Sequence, residues 1–225
     1  MITTIMIDYD NTLHDSDYKF ITKFSEIFDD VSGEQLWEVY LFKVHRGIVH
    51  VRYPERHEDG EFHTKLIFEH LNKPYETSKA KQMIEAYNSA LKECWENPSF
   101  FPDTFEFLDK VAGKYKVCLA TQEFAKEKAV CLEKIGGKKY FDYVLGDHNI
   151  RFHKTTSEFY KQALELSKSV AEETVNVGDA LTHDILPAKL AGIKTIWVNR
   201  KNEVVLEKIK PDYEVKNLLE VLNFL

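Results

Sequence analysis

The stretch that most constrains this chain is Ile2-Thr3-Thr4-Ile5-Met6-Ile7-Asp8-Tyr9-Asp10-Asn11-Thr12-Leu13, an apolar, β-branched run that ends in two carboxylates two residues apart. Parallel strands of α/β proteins are buried on both faces and read as near-continuous apolar runs. Ligands of such folds bind beyond the carboxyl ends of the strands. A carboxylate at that place is costly to desolvate unless something pairs it. Two so close call for a bound cation or a shared proton, with a plain surface turn opened by Asx residues as the simpler alternative. Side chains alternate along a strand, but where the chain turns at its end, acids at i and i+2 can face one ligand together.

From Asp103 onward strand and helix patterns alternate. A helix over Phe105 to Val111 is followed by a strand at Tyr115 to Ala120, a helix at Lys126 to Ile135 and a short strand at Tyr143 to Leu145. Further strands are expected at Thr174 to Val177, Lys194 to Val198 and Tyr213 to Val215. Helices at Glu158 to Leu166 and Ile185 to Ala191 separate them, and a terminal helix carries Leu218, Leu219 and Leu222. Such alternation predicts βαβ units with right-handed crossovers on a mostly parallel sheet, a three-layer Rossmann-like α/β fold.

Residues 14–98 break the pattern. Their apolar residues recur at helical spacing, as at Phe20, Ile21, Phe24, Ile27 and Phe28, and Ser32-Gly33-Glu34-Gln35 can form a capping box. Between His45 and Glu61 the text reads as irregular. Trp37, Tyr40 and Trp95 lie on helical stripes and are read as packing residues. The first strand must join the sheet across this stretch. The expectation is therefore an α/β core of residues 1–13 and 99–225 with an inserted α-helical cap of residues 14–98.

Composition removes several function classes. The formal net charge of the 225 residues is -7, and there is no Lys/Arg cluster of the kind a nucleic-acid binder needs. Cys94, Cys118 and Cys131 are odd in number and form no CxxC, which argues against a disulfide framework. The first residues lack a basic segment and their apolar run is cut short by acids, so neither a signal peptide nor a membrane span is expected. A cytoplasmic protein without nucleic-acid or membrane partners, monomeric or a small homo-oligomer, follows.

Four loops fall at the carboxyl ends of the expected strands or beside helix starts. They carry Asp8 with Asp10, Thr121, Lys154, and Asp179 with Asp184. Thr121 could bind an anion beside helix N–H groups or serve as an N-cap. Lys154 precedes Thr155-Thr156-Ser157-Glu158, a capping-box pattern that delivers an amine next to a helix start. Oxygen ligands with open positions suit Mg²⁺, which keeps several waters and engages substrate phosphates. Zinc would call for closely spaced His or Cys, and His148 with His153 lacks further partners.

These segments, Asp8-Tyr9-Asp10-Asn11-Thr12, Thr121, Lys154 and Gly178-Asp179 through Asp184, resemble the four motifs of the haloacid dehalogenase superfamily in order, as does Ala188 to Arg200 after the fourth. The resemblance covers about two thirds of the chain, and residues 14–98 resemble the family's helical cap of the first type. It departs at Gln122-Glu123, where many relatives carry Asn-Gly, at Thr155, where proline is usual, and at His183, where asparagine is frequent. What it implies is a Mg²⁺-dependent phosphatase that acts on a small phosphorylated metabolite through an aspartyl phosphate. Asp8 then resembles the nucleophile and Asp10 the general acid/base. Asp8, the main-chain carbonyl of Asp10, and Asp179 resemble the Mg²⁺ ligands, and Thr121 and Lys154 the donors to the phosphoryl oxygens. Thr12 and Asp184 resemble supporting residues, Asp184 holding either the lysine or a metal-bound water. A phosphomutase, a 2-haloacid dehalogenase or a receiver-like phospho-switch uses overlapping groups and stays open.

Six of the nine histidines lie within 14–98, and His45, Arg46, His50, Arg52, Arg56, His57 and His63 crowd one short region. Facing a cleft, His45, Arg46 and Arg52 would select an anionic substrate by focusing its field; facing outward, the segment is a solvated loop of mixed charge.

Overall fold

Strand β1 (Thr4–Ile7) lies at the middle of a six-stranded sheet with β2 (Lys116–Ala120), β3 (Tyr143–Leu145), β4 (Thr174–Gly178), β5 (Lys194–Val198) and β6 (Tyr213–Val215). The order is β3-β2-β1-β4-β5-β6, and every neighbouring pair is parallel. The computed structural model describes residues 1–204 and 209–225. These divide into two units, Met1–Asp15 with Pro98–Leu225, and Ser16–Asn97.

In the first unit the strand alternation builds three layers. Ile5 and Ile7 point to one face, where Val117, Leu119, Val175 and Val177 join them under Phe107, Leu108 and Leu132 from helices Thr104–Val111 and Ala125–Gly136. Met6, Cys118 and Ala120 point to the other, under Phe159, Tyr160 and Ala163 of helix Ser157–Ser167 and Ala188 of helix Leu186–Leu190. Side chains of one strand thus feed two separate apolar layers, as a period of two requires. Ile7 pairs with Leu119 on one side and Val177 on the other. The chain runs outward from β1 through β2 to β3 on one side and from β4 through β5 to β6 on the other, which places a topological switch point at the carboxyl ends of β1 and β4.

The second unit is helical, with Asp17–Phe24, Gly33–Glu38, Gly60–His70 and Thr77–Glu96 as its main α-helices. The capping box expected at Ser32 is formed, with Gln35 N–H donating to Ser32 Oγ and Ser32 N–H to Gln35 Oε1. Phe20 stacks on Trp37 at 4.3 Å between ring centres, and Trp37 on Tyr40 at 5.2 Å, inside an apolar cluster with Leu36, Phe68 and Met83. Trp95 departs from the packing expectation in degree, being half-buried near the end of its helix.

Two local expectations are corrected. His45 to Arg52 is not irregular: Val39–Val49 is a π-helix that continues into a short α-turn, His50–Arg52. The His50 N–H donates to the His45 carbonyl, an i→i+5 bond. The first part of the π-helix, with Tyr40, still reads as a helical stripe, but past His45 the widened turns break that spacing and the pattern hides the rest. Gly47 permits the turn, since a Cβ there would lie 2.6 Å from the Phe42 carbonyl oxygen. The second correction is at Thr156, which occupies the N-cap position of helix Ser157–Ser167 without a side-chain cap. Its hydroxyl donates to the His153 carbonyl instead.

Candidate active site

The carboxyl end of β1 carries the site. Asp8 N–H donates to the Val177 carbonyl at 2.9 Å, which extends the β1–β4 pairing by one residue and holds Asp8 at the edge of the sheet. Its side chain is buried, accepts a hydrogen bond from Thr12 Oγ1 at 3.3 Å and is in direct contact with the Lys154 ammonium. Asn11, at φ 57°, takes the left-handed conformation that turns the chain back; asparagine adopts it more readily than most residues. Arg200 secures the same loop by donating to the Thr12 carbonyl and to Asp103.

Lys154 is shared. Its ammonium also meets Asp184 Oδ1 at 2.7 Å, so Asp184 holds the lysine. Asp184 Oδ2 accepts the Ala180 N–H at 2.9 Å. Its carboxylate folds directly beneath the end of β4, where a Cβ on residue 178 would fall 2.2 Å from Asp184 Cγ. Glycine at 178 is thus a requirement of close approach and not of backbone angle. Asn176, buried in β4, donates to the Asp184 carbonyl, and the Tyr160 hydroxyl to the His183 carbonyl. On the other side Gln122 Oε1 accepts the Lys154 N–H at 2.6 Å, which gives Gln122 a positioning task.

One ammonium between two buried carboxylates leaves negative charge uncompensated. Burial, with repulsion from Asp184 and Asp10, pushes the Asp8 carboxyl above its ordinary range against the opposing pull of Lys154. Burial works against the charge on Lys154 too, but Asp184 and Asp8 keep it well above the usual lysine value. Carboxylate oxygens of Asp8, Asp179 and Asp184 lie within 4.8 Å of one another. Hard donors carrying surplus negative charge fit a divalent cation such as Mg²⁺. The Asp179 backbone is fixed for this by Trp197, whose indole N–H donates to the Asp179 carbonyl at 2.6 Å.

Asp10 has a separate set of partners that the sequence did not disclose. Lys128 Nζ meets Asp10 Oδ2 at 2.5 Å, and His14 Nε2 lies 3.3 Å from Asp10 Oδ1. Although burial pushes the Asp10 carboxyl up, Lys128 and His14 together hold it well below the usual carboxylate range. Lys128 is 1% exposed and lies 3.4 Å from Thr121 Oγ1, so it links Thr121 to Asp10. A sequence signal did exist. Within helix Ala125–Gly136, Lys128 shares the buried stripe of Ala125, Ala129 and Leu132, where a lysine needs a partner. Thr121 is not the N-cap of that helix; Phe124 holds that position, at φ 54°. Left-handed backbone is strained for a bulky side chain, and such strain gathers at functional sites.

The structure thus brings Asp8, Asp10, Thr12, Thr121, Lys154, Asp179 and Asp184 to one end of the sheet. His45, Arg46 and Arg52 belong to the helical unit: His45 packs among other histidines, Arg46 lies over the Phe42 ring and Arg52 is exposed.

Residues 5–198 match the family model described as haloacid dehalogenase-like hydrolase. The chain belongs to that family. Among its relatives, the pyrimidine 5'-nucleotidase YjjG of Escherichia coli is 29% identical over 141 residues, which are 62% of this chain and 61% of YjjG. The chain thus spans less than two thirds of that relative. The pyrophosphatase PpaX of Bacillus mycoides is 30% identical over 156 residues, 67% of this chain and 71% of PpaX. In fold, this haloacid dehalogenase-like hydrolase is similar to the crystal structure of the putative HAD-hydrolase YfnB of Bacillus subtilis bound to magnesium. The TM-score is 0.76 at 20% identity, over 99% of this chain and 98% of that one. No helix among the described residues is long and apolar enough to cross a membrane.

Proposed function

We propose that this hydrolase cleaves phosphomonoesters of a small metabolite in a Mg²⁺-dependent reaction that passes through a phosphoryl group on Asp8. The observation that carries the reading is the pair of differently partnered acids at the end of β1. Asp8 is held by Lys154 and Thr12, and Asp10 by Lys128 and His14. Asp8, Asp179 and the main-chain carbonyl of Asp10 would hold the cation. When bound, Mg²⁺ offsets the charge of the phosphate and so makes attack by a carboxylate feasible.

The chain's own groups supply the rest. A carboxylate oxygen of Asp8 attacks phosphorus, and the bond from phosphorus to the leaving oxygen breaks. Lys154 and Thr121 donate to the phosphoryl oxygens, where charge develops. Asp10 stands as a carboxylate, so the proton for the leaving oxygen is drawn across the Asp10–Lys128 contact, ammonium to carboxylate to alkoxide. In the second half water attacks phosphorus, Asp10 takes its proton and passes it back to Lys128, and the bond between phosphorus and the Asp8 oxygen breaks to release inorganic phosphate. A halide leaves without needing a proton, so Asp10 and its two partners would be idle in a dehalogenase. Asp184 keeps Lys154 in place. Three free cysteines suit a reducing cytoplasm.

The deciding experiment measures phosphate release from aryl and alkyl phosphates, nucleoside monophosphates and pyrophosphate, with Mg²⁺ and with chelator, beside halide release from a 2-haloacid. Magnesium-dependent phosphate release without halide is the expected outcome. Halide release in chelator, or a stable phosphoryl group on the protein without turnover, would overturn the reading.

Lys128 offers a sharper check. Lys128→Met should lower turnover of an alkyl phosphate by about 100-fold, the scale of losing the placement of a reacting group. Turnover of a nitrophenyl ester, whose leaving group needs no proton, should fall much less. An alkyl-to-aryl ratio equal to that of the parent would remove Lys128 from the mechanism.

A further inference from the structure

The helical unit contains a group of histidines that the proposed chemistry does not use. His45 and His50 lie five apart on the π-helix and the turn that follows it, and the widened turn puts them on one side. Their ring centres are 4.1 Å apart. His57, just after the 3₁₀ turn Pro54–Arg56, adds a third ring at 4.8 Å from His45 and 4.8 Å from His50. His63, in helix Gly60–His70, stands behind them at 5.6 Å from His45.

We infer that His45, His50 and His57 form a binding site for a transition-metal ion of the zinc class. One ring nitrogen from each lies within 4.8 Å of the others. A zinc ion with ligands at about 2.0–2.1 Å would separate tetrahedral nitrogens by about 3.3 Å. Closing that difference takes shifts of about 1 Å, within the reach of imidazole rotation.

Two further observations point to a ligand. His45 Nδ1 and His63 Nε2 are buried without a hydrogen-bond partner. Buried polar atoms nearly always have partners, and an exception calls for a water or an ion. Two of the three rings, His45 and His57, are also held toward the neutral form. Burial lowers His57 and His63 and, with repulsion from His50 and His57, lowers His45 well below the ordinary histidine value. Neutral imidazole is the ligand form, and three imidazoles without a carboxylate favour zinc, copper or nickel over magnesium. Glu58 and Asp59 face this region alongside Arg46 and Arg56, so a cation does not meet positive charge alone. Such an ion would tie the π-helix to the turn that follows it.

The catalytic carboxylates could also take zinc, so the test uses the full chain carrying Asp179→Asn. Zinc is titrated against a chromophoric chelator, and the bound ion is examined by X-ray absorption. One equivalent per chain with imidazole scattering is expected. Adding His50→Asn or His57→Asn should weaken binding by about 100-fold or more. Thermal melting of the metal-free proteins verifies that each variant folds, and His57→Asn, lying outside the helices, should melt as its parent does. No zinc uptake at excess ion, or uptake undiminished when both histidines are replaced, would overturn the site. Neither outcome depends on whether the protein hydrolyses phosphate.

Discussion

Replacing Asp8 with asparagine is expected to lower phosphate release by about 10⁴-fold or more, the scale seen when a covalent nucleophile is removed. The amide keeps the shape of the side chain and its contact with Thr12 but cannot form an acyl phosphate. Rapid quench followed by intact-mass measurement should show a phosphoryl adduct on the parent and none on the variant. Turnover by the variant within tenfold of the parent, as an order of magnitude for the assay, would show that Asp8 is not the nucleophile. The same variant reports on stability. The Asp8 carboxyl lies above its ordinary value of 3.8 in the folded chain, through burial first and repulsion from Asp184 and Asp10 next. Between the ordinary and the raised value the folded state binds more protons than the unfolded state. Stability that is present below the ordinary value is then lost as pH rises through the raised one. Asparagine carries no such loss. In chelator, the melting temperature of Asp8→Asn relative to the parent should rise between about pH 4 and about pH 8. A constant difference across that window would contradict the crowding of charge around Lys154.

The second large effect concerns Asp10. Asp10→Asn should depress turnover of an alkyl phosphate by roughly two to four decades, the usual contribution of general acid–base help. A nitrophenyl ester should lose less in the first half-reaction, because its leaving group departs unprotonated. Hydrolysis of the phosphoryl group on Asp8 also needs Asp10 as base, so the adduct should accumulate with good leaving groups. Wild-type turnover of an alkyl phosphate by this variant would move the acid–base role elsewhere. Asp8 and Asp10 therefore fail differently: one variant never acquires a phosphoryl group, while the other is slow to lose it.

The residues legible in the sequence share a location. Asp8, Asp10, Thr121 and Asp179 follow β1, β2 and β4 directly, and a strand's end can be read from its apolar run. Lys154 and Asp184 stood beside helix starts, and only their roles followed from motif order. His14, four residues after Asp10, was passed over although its spacing was legible; Lys128, Tyr160 and Gln122 were missed for a common reason. Each acts on a segment distant in sequence, and only the parallel sheet sets their distances. Lys128 came nearest to detection, as a charge on an otherwise apolar helical stripe. The π-helix was hidden differently, because a helix read at 3.6 residues per turn looks irregular once its turns widen. The crowding of His45, His50 and His57 was legible, but that His45 and His50 share a side was not, since it needs a turn of that width.

The position of β1 also has a consequence for how the protein comes into being. Its two neighbours are β2 and β4, which begin at Lys116 and Thr174. On the ribosome, at about 5–20 residues per second, roughly ten seconds or more separate the synthesis of β1 from that of β4. Throughout that interval the strand that leads into Asp8 has no complete sheet to enter. The residues of the helical unit, by contrast, are contiguous, and their packing partners leave the ribosome together. Asp8 is thus made well before the strands that complete its surroundings. A chain interrupted before Gly178 lacks the strand end beneath which Asp184 must fold, and with it the contact that holds Lys154 against Asp8.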